Sequence, residues 1–445
     1  MALSGLDIYK LLPKTNCKDC GFATCLAFAM ALAQKKVPLD KCPHVTPGAR
    51  EALESASRPP IKLVTIGTGL RKLEIGNETV MFRHEQKFHH PCGIGISLED
   101  TLEDAEIKKA ISDINGLKFE RVGQVIGVDL VCVKNLSKYQ NKFTSAVKKV
   151  IAHSGLNIAL QSDDTASMQE ALKACKDRRP LIICGEDAKP DGFMKLAKEN
   201  NAPLAITAAT LEEAADLADK AKKAGVEEVV INLKTAKLSK RIQDFTYIRR
   251  SALRKNFRPL GYPIMAFTGA LPEDLELAEA VSYVLKYAGL VIVNNTNKEF
   301  IFPLLVARQD IYQDPQKPVQ VEPKIYEIGK VNEASPVLVT TNFSITYFTV
   351  AGEVEAAKVP SYIIACDAEG MSVLTAWAAE KFTAEKIADT LMKSGITDRV
   401  SHKKVIIPGY VSVLSGKLEE ASGWKVSVGP REASGIPNYL RSLKV

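Results

Sequence analysis

Short apolar β-type runs alternate with amphipathic helical stretches from about residue 60 to about residue 310. This rhythm limits the fold more than any other feature of the 445-residue chain. The runs are TVMF (79–82), GIGI (93–96), VIGVD (125–129), NIAL (157–160), LIIC (181–184), PLAI (203–206), VVIN (229–232), PIMAF (263–267) and LVIVN (290–294). Helical stretches separate many of them, such as 210–224 with Leu211, Ala214, Ala215, Leu217, Ala218 and Ala221 at helical spacing. About eight βα units in some 250 residues predict a TIM (β/α)8 barrel, because an open doubly wound sheet normally stops at fewer strands.

The segment SASRPP (55–60) reads as a linker in front of that region. A second extended, linker-like segment runs from 312 to 336 and carries Pro315, Pro318, Pro323 and Pro336. Four further βα units follow, with strands at 336–341, 361–366, 404–408 and 424–428. They predict a small parallel three-layer domain. The expected architecture is therefore a multidomain α/β chain: a small cysteine-bearing module over 1–57, a TIM barrel over 58–325 and a small doubly wound α/β domain over 326–445.

Four cysteines, Cys17, Cys20, Cys25 and Cys42, stand in the spacing C-x2-C-x4-C-x16-C, the last followed by Pro43. No apolar run of 18 residues and no signal-peptide pattern is visible, so a reducing cytoplasm is the expected setting, where such a group points to metal rather than disulfides. Zinc with four thiolates and a chance group of reduced thiols are the competing readings. Structural zinc usually takes two well-separated C-x2-C knuckles, whereas three close cysteines and a distant one before proline fit a [4Fe–4S] cluster. Gly21 permits a tight turn after Cys20, and Thr24 can cap a helix over 25–33. Cys25 then sits in the first turn, where the helix dipole favours an anionic cluster. The other five cysteines, Cys92, Cys132, Cys175, Cys184 and Cys366, lie mostly in apolar runs and read as small buried hydrophobes.

The net charge of +7 is dispersed, with no arginine-rich stretch interleaved with aromatics, which argues against nucleic-acid binding and leaves a mild bias toward acidic protein partners. No apolar segment argues for a membrane span.

Strand-end polar residues in the barrel region, Glu85, Asp129, Gln161, Thr207, Asn232, Thr268 and Asn294, could face a common mouth. They include no convergent acid/base pair and no metal triad. His84, His89 and His90 lack a spaced carboxylate partner and read as surface or packing residues. The barrel reads as a scaffold or docking body. By contrast, every strand of the last region runs into a small-residue, hydroxyl-rich turn: TTNFS (340–344), DAEGMS (367–372), PGYVS (408–412) and GPREAS (429–434). In open α/β sheets ligands bind outside the carboxyl ends of the strands, and four permissive loops there make a broad edge for a large planar ligand. Ordinary capped βα turns are the alternative. No Walker lysine motif and no G-x-G-x-x-G speaks for a nucleotide.

An N-terminal C-x2-C-G-x3-C…C-P module joined to a barrel and a small α/β domain resembles the large (gamma) subunit of the corrinoid iron–sulfur protein family of the reductive acetyl-CoA (Wood–Ljungdahl) pathway. The likeness covers essentially the full chain. The segments TTNFSITY (340–347), EGMSVLTA (369–376), Pro408–Gly409 and VGPREASG (428–435) look like that family's corrinoid-binding loops.

The resemblance implies two cofactors. A [4Fe–4S] cluster sits on Cys17, Cys20, Cys25 and Cys42. A cobalamin-type corrinoid sits near Thr340, Thr346, Gly370, Met371, Ser372, Val373, Leu374, Thr375, Pro408, Gly409, Gly429, Pro430 and Ala433. It also implies a methyl carrier: cobalt takes a methyl group from methyltetrahydrofolate through a separate methyltransferase and passes it to acetyl-CoA synthase/CO dehydrogenase, while the cluster returns Co(II) to Co(I). A small barrel subunit completes an implied heterodimer. The Asp-x-His-x-x-Gly motif, by which many cobalamin proteins ligate cobalt, is absent. His402, the one histidine of 326–445, precedes a strand and stands at the wrong edge for a ligand. Thr375 or a water is expected below the cobalt. The competing readings are an iron–sulfur barrel reductase of a small carbonyl substrate, which needs a flavin or nicotinamide site that no motif shows, and a zinc-stapled assembly subunit.

Overall fold

The structure is a computed structural model that describes residues 5–33, 36–46, 48–50, 53, 59–69, 72–235 and 237–443. The expected linker at 55–60 lies largely outside these residues. By contacts the chain divides into two compact units. One comprises Met1–Met81, Phe88–Gly116 and Val128–Arg308, and the other Phe82–Lys87, Leu117–Gly127 and Gln309–Val445.

Within the first unit, the N-terminal segment forms helices Gly5–Leu11 and Cys25–Ala33 and a short 3-10 turn, Leu39–Lys41. Thr24 caps the second helix as expected, its Oγ1 accepting from Ala27 N at 3.1 Å. Ile8, Leu12, Phe28, Ala29, Cys25 and Cys42 pack into one small core.

The following residues close an eight-stranded parallel barrel in the order Gly93–Glu99, Leu130–Lys134, Asn157–Ser162, Leu181–Cys184, Leu204–Ala208, Val229–Leu233, Ile264–Phe267 and Ala288–Val293. Its interior holds Leu130, Cys132, Ala159, Leu181, Ile183, Ala205, Val230, Met265, Leu290 and Ile292. Each fully buried branched side chain contributes about 1.5–3 kcal/mol, so a continuous interior of this kind closes the sheet. An antiparallel hairpin, Val64–Ile66 with Leu73–Ile75, adds Val64, Ile66 and Ile75 to the same core. Its Gly67 N bonds to Arg179 O and its Thr65 N to Glu228, both ahead of barrel strands, so the hairpin plugs the amino end. Polar caps set the outer helices: Asp164 accepts from Ala166 N and Ser167 N, and Thr210 from Glu213 N.

Two expected barrel strands are misplaced. Residues 79–82 form no strand. Residues 125–127 belong to a hairpin, Lys118–Arg121 with Gln124–Gly127, and the second barrel strand is Leu130–Lys134. Burial decides between the neighbouring runs: Val125 is 76% exposed, while Leu130, Val131, Cys132 and Val133 are fully buried.

The second unit carries a five-stranded sheet in the order Ile325–Ile328, Ser361–Cys366, Val337–Thr341, Lys404–Ile407, Lys425–Val428. Four strands are parallel, but Ile325–Ile328 pairs antiparallel with Ser361–Cys366, so part of the segment read as a linker is an edge strand. Val337, Val339 and Ile364 face one core with Phe382, Ile387, Leu391 and Leu418. Leu338, Ile363 and Ala365 face another with Tyr347, Val354 and Leu440. The period-two alternation thus buries both faces under helices, and the sheet is doubly wound. From Val337–Thr341 the chain first adds Ser361–Cys366 on one side, then Lys404–Ile407 on the other, which puts the switch point beside Thr340. Among the described residues no helix is long and apolar enough to cross a membrane.

Candidate functional site

A cavity of about 330 Å³ opens at that switch point, outside the carboxyl ends of Val337–Thr341, Lys404–Ile407 and Lys425–Val428. Its walls are Leu338, Val339 and Thr340 from one strand, Ile345, Thr346, Thr349 and Val350 from the helix Ser344–Ala357, and Ser372, Val373 and Leu374 from the next strand's loop. Ile406, Ile407, Pro408 and Tyr410, then Gly429, Pro430, Arg431, Ala433 and Ile436, close it. Nine of the thirteen residues anticipated for a ligand are in this wall: Thr340, Thr346, Ser372, Val373, Leu374, Pro408, Gly429, Pro430 and Ala433. The other four lie elsewhere in the same loops. Met371 packs on the core, Thr375 pairs through its hydroxyl with Ser372 at 3.0 Å, and Gly370 and Gly409 shape turns.

Thr340 is part of the cavity wall, and its buried hydroxyl has no hydrogen-bond partner among the described residues. A buried hydroxyl left unmet costs about 1–3 kcal/mol, which marks it as a group awaiting a ligand or water. The rim is apolar and open, with Ile345 67% and Leu374 44% exposed. The site thus continues from the cavity onto the surface.

Backbone bonds hold the loops. Asn342, fully buried, accepts at Oδ1 from Ala368 N at 2.9 Å and Gly370 N at 3.1 Å, and donates to Gln320 Oε1 at 2.8 Å. It sets the turn that leads into Ser372–Leu374. Gly409 N donates to Pro430 O at 3.1 Å, and the Tyr410 hydroxyl donates to Glu432 across the same two loops. The sequence reading named the loops that hold Asn342, Tyr410 and Arg431 without singling these residues out. The TTN run that contains Asn342 was visible, but its inward direction depends on the strand's register.

His402 lies at the opposite edge of the sheet. It precedes Lys404–Ile407, and its Nε2 sits 3.0 Å from Ser335 O, ahead of the neighbouring strand. It is not in the cavity wall.

The N-terminal module brings Cys20, Cys25 and Cys42 into one packed group, with Cys25 at the start of its helix and Cys17 exposed. Asn16 Oδ1 accepts from Cys25 N at 2.8 Å. Lys14, Asn16 and Lys18 have φ of 60, 49 and 72°, and Gly21 has φ of 82°. Left-handed non-glycine residues are uncommon, and three around Cys17 mark a loop shaped for its side chains. Asp19 and His44, which the cysteine spacing did not flag, join Cys17 with donor atoms within 4.8 Å of one another. The His44 ring holds the Asp19 carboxyl below its usual range. The remaining cysteines behave as expected: burial pushes the thiols of Cys132, Cys175, Cys184 and Cys366 up to about 12 and raises that of Cys92.

The barrel's strand-end residues fall into two groups. Asp129 precedes its strand and so stands at the amino edge, bound to Ile94 N and Arg308; the shift of the strand to Leu130–Lys134 moves it there. Glu85 lies in the 82–87 loop and accepts from Phe82 N at 3.3 Å. Gln161, Thr207, Asn232, Thr268 and Asn294 are at the carboxyl end. There Thr207 bonds Cys184 O, Asn232 bonds Thr207, and Thr268 and Asn294 N bond the buried Glu276. His84 stacks on Phe82, the His90 ring contacts Gly76 O and lies 3.9 Å from the Glu74 carboxylate, and the backbone N–H groups of His89 and His90 donate to Glu78.

The family described as CO dehydrogenase/acetyl-CoA synthase delta subunit matches residues 63–440, and one named for an Fe-S cluster matches residues 12–44. The chain is 48% identical over 442 residues to the corrinoid/iron–sulfur protein large subunit of Moorella thermoacetica, covering 99% of each chain. It is 34% identical over 456 residues to the acetyl-CoA decarbonylase/synthase complex subunit gamma of Methanothermobacter thermautotrophicus, covering 100% of this chain and 99% of the other. These full-length matches take in the cysteine module, which the delta-subunit match leaves out. The chain belongs to the family of corrinoid/iron–sulfur protein large subunits and acetyl-CoA decarbonylase/synthase gamma subunits.

Proposed function

We propose that this chain is a cytoplasmic methyl carrier, loaded by a methyltetrahydrofolate methyltransferase and unloaded by acetyl-CoA synthase/CO dehydrogenase. It would work as a heterodimer with a small barrel subunit and touch neither nucleic acid nor membrane. Three segments divide the work: 1–57 for electrons, 58–325 as docking body and 326–445 for the corrinoid. When bound, the corrinoid supplies a cobalt that takes and gives up a methyl group, and a [4Fe–4S] cluster supplies the electron that restores lapsed cobalt.

The observation that carries this reading is the cavity at the switch point, whose wall includes Thr340 with a buried hydroxyl unpartnered among the described residues, on a chain that also packs Cys20, Cys25 and Cys42 together. A corrinoid is a broad disc fringed with amides. The apolar cavity and rim suit its body, while Thr340, Thr346 and Ser372 offer hydroxyls to its edge amides. Gly370, Met371, Val373, Leu374, Thr375, Pro408, Gly409, Gly429, Pro430 and Ala433 would complete the seat. Cys17, Cys20, Cys25 and Cys42 would hold the cluster, with the helix start at Cys25 favouring its negative charge. His402, at the far edge of the sheet, would not reach a corrinoid held in this cavity.

Metal and absorbance analysis of anaerobically purified protein tests this. The expected result is about four iron and about one cobalt per chain with corrinoid bands, by the four-thiolate stoichiometry of such clusters. Zinc in place of iron, or flavin bands in place of corrinoid, overturns it.

A further inference from the structure

Among the described residues Arg431 is the one charged residue in the cavity wall. Its neighbour Glu432 turns its carboxylate to the Tyr410 hydroxyl of the adjoining loop and makes no ion pair with Arg431 among the described residues. Among the described residues the Arg431 side chain has no ion pair and no hydrogen bond. Unpaired surface arginines are ordinary. This one differs because its backbone is clamped: a Cβ built on Gly409 would stand 2.8 Å from Arg431 N and 2.6 Å from Gly429 O. Arg431 is thus an exposed charge on a fixed stretch of backbone at the edge of an apolar cavity. A guanidinium fork suits a phosphate better than any other side chain does.

The corrin body itself offers amides and no anion, whereas a complete corrinoid carries one phosphodiester in its nucleotide tail. Resting on the reading that this cavity seats a corrinoid, we propose that Arg431 binds that phosphodiester and makes the site select corrinoids with the tail over those without it.

The test titrates corrinoid-free full-length protein with a complete corrinoid, with cobinamide, which lacks the nucleotide, and with cobinamide phosphate, following absorbance. Wild type is expected to bind the complete corrinoid and cobinamide phosphate about ten-fold more tightly than cobinamide, the scale of a partly exposed charge-assisted contact. R431Q should lose that preference with its cobinamide affinity unchanged, and R431K should keep part of it. Equal affinities in wild type overturn the proposal, as does cobinamide phosphate behaving like cobinamide, or R431Q weakening all three by one factor. Failure of wild type to bind any of the three would instead overturn the assignment of the cavity.

Discussion

The side-chain carbonyl of Asn342 accepts from the backbone N–H of Gly370 at 3.1 Å, tying the end of one parallel strand to the loop of the next. The same oxygen serves Ala368 N, so a single buried amide sets the turn ahead of Ser372, Val373 and Leu374. Asn342→Leu would leave two buried N–H groups unmet, at about 1–3 kcal/mol each. The expected outcome is a lower urea midpoint and partial loss of corrinoid after gel filtration. An unchanged midpoint would show that the turn holds itself.

Gly409 stands where two loops touch, and every atom a Cβ would meet is backbone: Gly429 O, Arg431 N and the Pro430 carbonyl carbon. Gly409→Ala must push the loops apart, costing about 1–3 kcal/mol as overpacking does. Weaker corrinoid retention with the iron content unchanged is the expected result. Full retention would mean that the wall yields freely.

Cys20→Ala removes one thiolate from the packed group of Cys20, Cys25 and Cys42. The variant should lose most of its iron and keep its corrinoid. Reductive recovery of inactive cobalt, followed by absorbance, should slow while methyl transfer from already reduced protein does not. Iron content equal to wild type would remove Cys20 from the ligand set.

His402→Gln should leave the Co(II) electron paramagnetic resonance spectrum unchanged, because the ring bonds Ser335 O at the amino edge of the sheet and the cavity lies at the carboxyl edge. A four-residue strand rising about 3.3 Å per residue separates the two. Axial nitrogen splitting lost on this replacement would refute the arrangement.

Asp164 caps the helix Thr165–Ala174, and hydrogen bonds from Ser167 hold its carboxyl below the ordinary value. Asp164→Ala should cost about 1 kcal/mol at neutral pH. The folded pKa is depressed, so this stabilisation is full above the unfolded value and is lost as pH falls through the folded one. The gap between wild type and variant midpoints should therefore begin to close below about pH 4 and vanish once pH lies below the folded value. A gap that persists there would mean that the cap does not act through its charge.

The sequence by itself determined the barrel, the doubly wound domain and the loops that line the cavity, because each rests on local pattern. Apolar runs of period two, helices of period 3.6, and small hydroxyl residues after strands are written in neighbouring positions. The cysteine spacing likewise pointed to a cluster without any knowledge of the fold. Tertiary structure decided what competing local signals left open. The sequence reading placed the strand at 125–129, and only closure of the barrel interior over Leu130 and Cys132 moved it to Leu130–Lys134 and carried Asp129 to the amino edge. Ile325–Ile328 hid in a proline-rich stretch because an edge strand needs pairing on one side only. Asn342, Tyr410 and Arg431 gained their roles from register and loop contact across residues far apart in the chain, which no local spacing records.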